Sequence, residues 1–113
     1  MNIVILGYGK MGREIEKTAL KRNHKVPLII DIDNQSDFTN ENLADIDVAI
    51  DFSIPESAYS NIIRCFDANT PIVSGTTGWL DKFEKVISIC KEKGQTFFYA
   101  SNLLLLMGLR IYP

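Results

Sequence analysis

The feature that most constrains the fold is a glycine-rich turn close to the N-terminus. Residues 2–6 form a short apolar run, and Gly7, Gly9 and Gly12 follow it directly with G-x-G-x-x-G spacing. Beyond the turn, apolar side chains recur every four positions, at Met11, Ile15 and Ala19. That period is typical of one face of a helix, whereas the run before the turn is typical of a strand. The segment therefore predicts a strand–turn–helix unit of the kind that builds parallel sheets.

The rest of the chain repeats this alternation of short β-branched runs with helical patterns. Together they predict an α/β fold, a Rossmann-type doubly wound parallel sheet of five strands. The predicted strands are residues 2–6, 26–30, 47–50, 71–74 and 96–100. Residues 33–44, between the second and third strands, are polar, and we expect a loop there with room for a short helix.

Three helices are predicted between these strands, and the first ends near Asn23. The second starts at Ser53, which has the spacing of a capping box with Glu56, and Pro55 fits its first turn. Its predicted buried face is Ala58, Ile62, Cys65 and Phe66. The third helix stops at Gly94. Its predicted apolar stripe is Leu80, Phe83, Ile87 and Cys90.

The glycine turn has the spacing of loops that bind a dinucleotide. In such loops the first glycine makes a tight turn, the second lets the backbone approach a diphosphate, and the third lets the helix pack closely on the strand. Amide groups at the start of the helix then face the phosphates. We expect the ring of Tyr8 to cover the nucleotide. The predicted cofactor contacts in this turn are Gly7, Tyr8, Gly9, Lys10, Met11 and Gly12.

An acidic residue about 20 positions beyond the turn predicts how the ribose is held. Asp31 closes the second strand, where a carboxylate can accept hydrogen bonds from the adenosine ribose hydroxyls. The same carboxylate would repel a 2′-phosphate, and Ile32 offers no guanidinium to bind one. NADH is therefore the preferred cofactor, and NADPH is the second choice. Asp33 is the alternative ribose ligand, although with Asn34 it also fits a turn.

A second group of polar residues follows strands three to five. Ser53, residues 75–78 (Gly-Thr-Thr-Gly) and residues 100–102 (Ala-Ser-Asn) would all face the crevice at the carboxyl ends of the strands. Open parallel sheets bind their ligands in that crevice. Two glycines that flank two hydroxyls suit a loop that passes close to a flat ring and offers amides to its carboxamide. The sequence therefore predicts that the nicotinamide lies here.

The sequence offers no complete catalytic apparatus. His24, the sole histidine, lies in a polar turn at the far end from the crevice. Asp51 ends a strand, where helix-terminus electrostatics explains a carboxylate as well as catalysis does. The sequence has no metal-ligand spacing and no pairing of a nucleophile with a base. We therefore predict no catalytic residue and no metal site in this chain.

Composition and charge point to a small-molecule partner. The chain has 46% hydrophobic and 23% charged residues, as soluble globular proteins do, and its net charge of −2 gives no reason to expect nucleic acid or an anionic membrane. Its longest apolar run, residues 103–109, is shorter than the roughly 20 residues that span a bilayer, and the N-terminus lacks the pattern of a signal peptide. We expect a cytoplasmic protein in which Cys65 and Cys90 are buried free thiols.

Four segments, in this order and at these separations, resemble the nucleotide domain of the dihydrodipicolinate reductases, which act in the diaminopimelate–lysine pathway of amino-acid biosynthesis. They are residues 7–13 (Gly-Tyr-Gly-Lys-Met-Gly-Arg), 51–56 (Asp-Phe-Ser-Ile-Pro-Glu), 75–78 (Gly-Thr-Thr-Gly) and 100–102 (Ala-Ser-Asn). The resemblance implies an oxidoreductase that transfers hydride from NAD(P)H to the cyclic unsaturated imine of dihydrodipicolinate or its hydroxylated precursor.

The same resemblance implies roles for individual residues. Residues 7–12 and Asp31 would hold the adenosine and the pyrophosphate, and Thr77 would also touch the substrate. The residues implied to lie around the nicotinamide are Ser53, Gly75, Thr76, Thr77, Ala100, Ser101, Asn102 and Leu103.

The resemblance stops after Asn102. We therefore divide the chain into a dinucleotide-binding domain, residues 1–102, and an apolar tail, residues 103–113, where the substrate domain would begin. The family's paired-histidine and lysine motif, its Ser-Gly-Thr stretch that grips the dicarboxylate, and the surfaces of its homotetramer do not occur in this sequence. With the C-terminal substrate domain absent, we expect cofactor binding with little or no turnover. One hypothesis for the tail is a truncated or frame-shifted gene, which the other reading frames past Asn102 would test.

Two alternatives fit parts of the same pattern. One is a truncated Rossmann dehydrogenase that acts on another substrate class, such as amino acids or sugars, although the paired motifs at 51–55 and 75–78 argue against it. The other is a non-enzymatic NAD-binding interaction module, in which the apolar tail would dock on another protein.

Overall fold

The computed structural model describes residues 1–99 and confirms the predicted doubly wound α/β architecture. Its strands are β1 (Asn2–Leu6), β2 (Lys25–Ile30), β3 (Val48–Asp51), β4 (Ile72–Ser74) and β5 (Phe97–Tyr99). Its helices are α1 (Lys10–Lys21), α2 (Asn40–Leu43), α3 (Pro55–Asp67) and α4 (Phe83–Glu92), with 3-10 turns at Ile32–Asp37 and Leu80–Lys82. The predicted strands therefore lie within a residue or so of the observed ones, and the polar stretch after β2 contains the short helix α2.

The order of the strands determines where a ligand can bind. All five are parallel, in the order β2-β1-β3-β4-β5, so the chain reverses its direction of travel across the sheet between β1 and β3. Such a reversal leaves a crevice at the carboxyl ends of the strands. The last residues of the strands lie opposite one another in the register: Leu6, Ile30, Asp51, Ser74 and Tyr99. The segments that follow them therefore meet along one edge.

Helices cover both faces of the sheet, which explains why β1 is a continuous apolar run. Ile3 and Ile5 belong to the same buried cluster as Ala19 of α1. Val4 and Leu6 belong to the cluster on the opposite face, with residues of α3 and α4. Burying one aliphatic side chain stabilises a fold by about 1.5–3 kcal/mol. Packing on both sides therefore fixes β1, and with it the start of the glycine turn.

The predicted buried face of α3 is confirmed. Ala58, Ile62, Cys65 and Phe66 are all buried. Pro55 occupies the first turn of the helix, as predicted. The predicted capping box is wrong, because the cap position is Ile54 and makes no side-chain hydrogen bond. The Ser53 hydroxyl donates instead to the Asp51 carboxylate at 2.6 Å, a stronger acceptor than it would find on the helix.

The predicted apolar stripe of α4 is partly wrong. Leu80 is 53% exposed, because it lies in a 3-10 turn and the α-helix begins only at Phe83. That change of helix type shifts the phase of the stripe. The residues of α4 that reach the core are Phe83, Val86, Ile89 and Cys90. Ile87, which was predicted to lie on the stripe, is half-buried outside this cluster.

Both cysteines are free thiols, as predicted, but the predicted burial is confirmed only for Cys65. Cys65 is fully buried, and burial together with the negative charge of Asp51 raises the pKa of its thiol to about 12. A thiol with so high a pKa forms almost no thiolate at neutral pH and is a poor nucleophile. Cys90 is half-buried, and its thiol donates to the Gln95 carbonyl oxygen at 3.1 Å.

Three helices are followed by a residue with left-handed backbone: Asn23, Asn69 and Gly94. Gly94 has φ +63°, and a Cβ there would meet no atom within 4 Å. We expect Gly94→Ala to lower the free energy of unfolding by about 1 kcal/mol, because the methyl group is strained by backbone conformation alone. Gly94→Asn should cost less, since asparagine tolerates this conformation. Urea unfolding of both variants measures the difference, and equal losses would contradict the explanation.

One border of the sheet contains a proline. Pro27 lies in the border strand β2, between the paired positions Asn2–Lys25 and Val4–Leu28, where the register of β1 and β2 shifts. Because proline has no amide hydrogen, it is found in sheets at borders and bulges. Pro27 therefore interrupts the hydrogen-bonding groups of this strand.

Two features are absent from the part of the chain that the structure describes. No helix within residues 1–99 is long and apolar enough to cross a membrane. Over the same range, no three His, Cys, Asp or Glu side chains are grouped so that they could hold a metal ion.

Candidate cofactor site

A cleft of about 240 Å³ opens at the carboxyl edge of the sheet, where the order of the strands reverses. Pockets for whole small-molecule ligands have volumes of about 300–1,000 Å³, so this cleft suits one half of an extended ligand. Its walls come from the glycine turn, from the end of β2 and from the start of α3. The lining residues are Leu6, Gly7, Tyr8, Gly9, Ile30, Asp31, Ile32, Gln35, Phe52, Ser53, Ile54, Ser57 and Asn61.

Each glycine of the turn meets a different constraint. Gly7 has φ +96°, and a Cβ there would lie 2.5 Å from the Phe52 carbonyl oxygen. A Cβ at Gly12 would lie 2.2 Å from the Gly7 carbonyl oxygen, because α1 starts directly against the turn. A Cβ at Gly9 would meet no protein atom within 4 Å. Gly7 and Gly12 are therefore required by the fold itself, whereas the space beside Gly9 is open.

Tyr8 is held in place at the rim of the cleft. Its hydroxyl donates to Glu16 Oε1 at 2.5 Å, and the Arg13 guanidinium lies 4.9 Å from the centre of its ring. The hydrogen bond to Glu16 is the main reason that the pKa of Tyr8 is raised above its ordinary value. The other two predicted contacts of the turn, Lys10 and Met11, form the first residues of α1 and do not line the cleft.

The end of β2 brings Asp31 to the cleft, opposite the glycine turn. Its backbone is fixed by two side chains of the following 3-10 turn. The Asp31 amide donates to Asn34 Oδ1 at 2.6 Å, and Gln35 Nε2 donates to the Asp31 carbonyl oxygen at 2.8 Å. The alternative residue Asp33 is exposed and does not line the cleft. Ile32, which is 80% exposed, does line it.

A buried hydrogen-bond network centres on Asp51, the last residue of β3. Its carboxylate is 0% exposed and accepts hydrogen bonds from four other residues. The donors are Ser53, Asn61, Ser74 and Thr76. The sequence indicated Asp51 and Ser53 separately, whereas it gave no indication of Asn61 or Ser74, whose contacts depend on the register of the sheet.

Residues 75–78, here called the β4 loop, lie beside this network. The Gly75 amide donates to the Asp51 carbonyl oxygen at 2.8 Å, and Thr76 is buried. The Trp79 indole donates to the Thr76 carbonyl oxygen at 2.6 Å. Thr77 is exposed. The β4 loop is thus anchored on both sides, although it does not itself line the cleft.

The remaining predicted residues do not join this site in the described structure. Ala100, Ser101, Asn102 and Leu103 lie outside the described residues, as does the apolar tail. His24 Nδ1 lies 3.1 Å from the N-terminal amine, at the opposite edge of the sheet from the cleft. That placement agrees with the expectation that His24 is remote from the crevice.

Comparison with known families identifies the chain. The family model described as "Dihydrodipicolinate reductase, N-terminus" matches residues 1–103. The chain belongs to the dihydrodipicolinate reductase family. A relative from Christiangramia forsetii, described as a 4-hydroxy-tetrahydrodipicolinate reductase, is 49% identical over 105 residues, which are 93% of this chain and 43% of the relative. The chain therefore spans less than half the length of that relative and corresponds to the N-terminal part of the family.

Solved structures agree on the fold. A dihydrodipicolinate reductase from Paenisporosarcina sp. TG-14, bound to dipicolinate, superposes with a TM-score of 0.76 at 21% identity, over 93% of this chain and 48% of that one. A homoserine dehydrogenase mutant from a hyperthermophilic archaeon, in complex with NADPH, gives a TM-score of 0.65 at 13% identity, over 87% and 43% of the two chains. At these identities the likeness shows the Rossmann fold alone. The family match, by contrast, favours the reductase over a dehydrogenase of another substrate class.

Proposed function

We propose that this chain is the NAD(H)-binding part of a 4-hydroxy-tetrahydrodipicolinate reductase, a cytoplasmic enzyme of the diaminopimelate route to lysine. A bound reduced nicotinamide would supply the hydride for the cyclic imine of the dicarboxylate substrate. The proposal for the whole enzyme rests on membership of the family. The proposal for this chain rests on its own residues.

The observation that carries the proposal is the convergence of three segments on one cleft. The glycine turn, the end of β2 at Asp31 and the segment at Ser53 are far apart in sequence, and all three line it. An extended ligand with a diphosphate at its centre and a ribose at one end needs these groups together. Amides at the start of α1 would hold the diphosphate, with Lys10 and Met11 as further contacts.

The residues at the end of β2 support a preference for NADH over NADPH. Asp31 would accept hydrogen bonds from the adenosine ribose hydroxyls and would repel a 2′-phosphate. Ile32 is 80% exposed beside it and offers no positive charge in compensation. We assign the ribose to Asp31 rather than Asp33, because Asp31 lines the cleft.

The nicotinamide half of the cofactor is assigned to the β4 loop. Gly75, Thr76 and Thr77 would hold the flat ring and its carboxamide together with Ser53, which lines the cleft and whose carbonyl oxygen accepts from the Thr76 hydroxyl at 3.4 Å. Residues 100–103 would supply the remaining contacts to the nicotinamide ring. Thr77 is exposed and would also touch the substrate. The role of this chain is therefore to hold the ring in one orientation, which contributes much of the acceleration in hydride transfer.

Calorimetric titration with NADH and NADPH tests the cofactor assignment. We expect the unsubstituted chain to bind NADH more tightly than NADPH. Asp31→Ala should weaken NADH binding about tenfold, the effect of losing one hydrogen bond to a charged group, and should weaken NADPH binding less. The matched control is Asp33→Ala, which removes a neighbouring exposed carboxylate and should leave both affinities unchanged.

Two results would count against this reading. Equal losses in the Asp31 and Asp33 variants would remove the assignment of the ribose. A natural chain that binds neither nucleotide would remove the proposed function as a whole.

A further inference from the structure

The two oxygens of the Asp51 carboxylate face different parts of the site. Oδ1 accepts from the Ser53 hydroxyl at 2.6 Å, from the Ser53 amide at 3.3 Å and from Asn61 Nδ2 at 3.1 Å. Oδ2 accepts from the Ser74 hydroxyl at 2.8 Å and from the Thr76 hydroxyl at 3.0 Å. Ser53 and Asn61 line the cleft, whereas Ser74 ends β4 and Thr76 belongs to the β4 loop. One carboxylate thus joins two segments that are separate in sequence.

The environment of Asp51 argues against a role in stability alone. The residue is 0% exposed, and all its hydrogen-bond partners are uncharged side chains and amides. Burying a carboxylate without a cation is costly, and five donors are needed to offset that cost. A carboxylate at this position is therefore best explained by the geometry that it imposes.

We infer that Asp51 is a positioning residue that sets the β4 loop at a fixed distance from the cleft. This inference rests on the proposed function, in which the cleft holds the adenosine half of the cofactor and the loop holds the nicotinamide half. Asp51 has no contact with the ligand in this account and acts through Ser53 and Thr76. Its own carbonyl oxygen adds a second attachment, since it accepts from the Gly75 amide at 2.8 Å. The Trp79 indole fixes the far side of the loop through the Thr76 carbonyl oxygen.

The test compares two ligands, one of which lacks the nicotinamide. In Asp51→Asn, the amide keeps the shape of the side chain, and the hydroxyls of Ser74 and Thr76 can rotate to accept from it. We expect the affinity for ADP-ribose to change less than about twofold, and the affinity for NADH to fall about tenfold, as for the loss of one hydrogen bond to a charged group. Trp79, the only tryptophan of the sequence, provides a second signal. Energy transfer from its indole to saturating NADH should decrease.

A second variant and a control keep the test independent of folding. Ser74→Ala removes one donor to Oδ2 from a residue that does not line the cleft, and should lower NADH affinity selectively if Asp51→Asn does not fold. Thr70→Val removes a buried hydroxyl that lies just before β4, at the other end of the strand from Ser74. It should change neither the NADH affinity nor the ADP-ribose affinity.

The outcomes separate this inference from the proposed function. Selective loss of NADH binding, with weaker energy transfer, supports it. If the ratio of NADH affinity to ADP-ribose affinity is unchanged in both variants, the inference is overturned while the proposed function stands. This holds whether neither affinity falls or both fall equally. A natural chain that binds NADH and ADP-ribose equally well also overturns it. Failure of the natural chain to bind either ligand overturns both.

Discussion

Alanine at Gly9 is expected to weaken NADH binding at least tenfold while the chain keeps its fold. No protein atom lies within 4 Å of a Cβ at this position, and its φ of −86° suits any residue. The methyl group would instead occupy the space through which a diphosphate approaches the backbone. Because Gly9 precedes α1 as its cap, alanine should lower the free energy of unfolding by no more than about 1 kcal/mol.

Gly12→Ala, three residues later, should mainly lower stability, whereas Gly9→Ala should mainly weaken NADH binding. In Gly12→Ala, the Cβ would lie 2.2 Å from the Gly7 carbonyl oxygen, and neither backbone can move without disturbing the turn. We expect a loss of about 1–3 kcal/mol or more in the free energy of unfolding, with NADH binding lost as a consequence. Urea unfolding and calorimetry on both variants make the comparison. Natural NADH affinity in Gly9→Ala would show that the diphosphate does not approach this glycine.

The largest effect on stability is expected from Trp79→Ala. The indole is 2% exposed, and its ring centre lies 5.9 Å from Phe83, 6.0 Å from Phe97 and 5.7 Å from Tyr99. Truncating a buried tryptophan costs about 3–5 kcal/mol, a large share of the about 5–15 kcal/mol by which such domains are stable. Because the indole also donates to the Thr76 carbonyl oxygen, the β4 loop should loosen before the chain unfolds.

Two further variants separate packing from the hydrogen bond. Trp79→Phe keeps most of the aromatic contact and loses the indole donor, which is worth about 1 kcal/mol. Phe98→Ala removes an exposed ring from β5, and it should lower the free energy of unfolding much less than Trp79→Ala does. Thermal or urea unfolding measures all three. Equal losses for Trp79→Ala and Phe98→Ala would show that the aromatic cluster contributes little to stability.

The sequence predicted what depends on neighbouring residues along the chain. The glycine turn, the α3 face and the strand limits follow from local periodicity and from the special conformations of glycine and proline, which are properties of short segments. The limits of this reasoning show at Leu80 and Ser53. The 3-10 turn that contains Leu80 shifts the phase of the apolar stripe of α4. The Ser53 hydroxyl, which was expected to cap α3, donates instead to the Asp51 carboxylate outside the helix.

The Asp51 network could not be predicted from the sequence. Its donors Ser74 and Thr76 are reached only because Asp51 lies opposite Ser74 in the register of β3 and β4. A shift of that register by one residue would turn every side chain of β4 to the other face. The packing of Trp79 likewise depends on β5, whose place in the sheet no local pattern specifies. Both the Asp51 network and the packing of Trp79 thus depend on long-range pairing of strands, which local patterns do not specify.

The two border strands of the described sheet, β2 and β5, are not equivalent as templates for pairing with a further strand. Pro27 has no amide hydrogen, and the register shift beside it makes the β2 border irregular. The other border, β5, is the unbroken segment Phe97–Tyr99, which carries a full set of amide hydrogens. Among residues 1–99, the β5 border is therefore the better template for pairing with a further strand, and it lies two strands away from the cleft between β1 and β3.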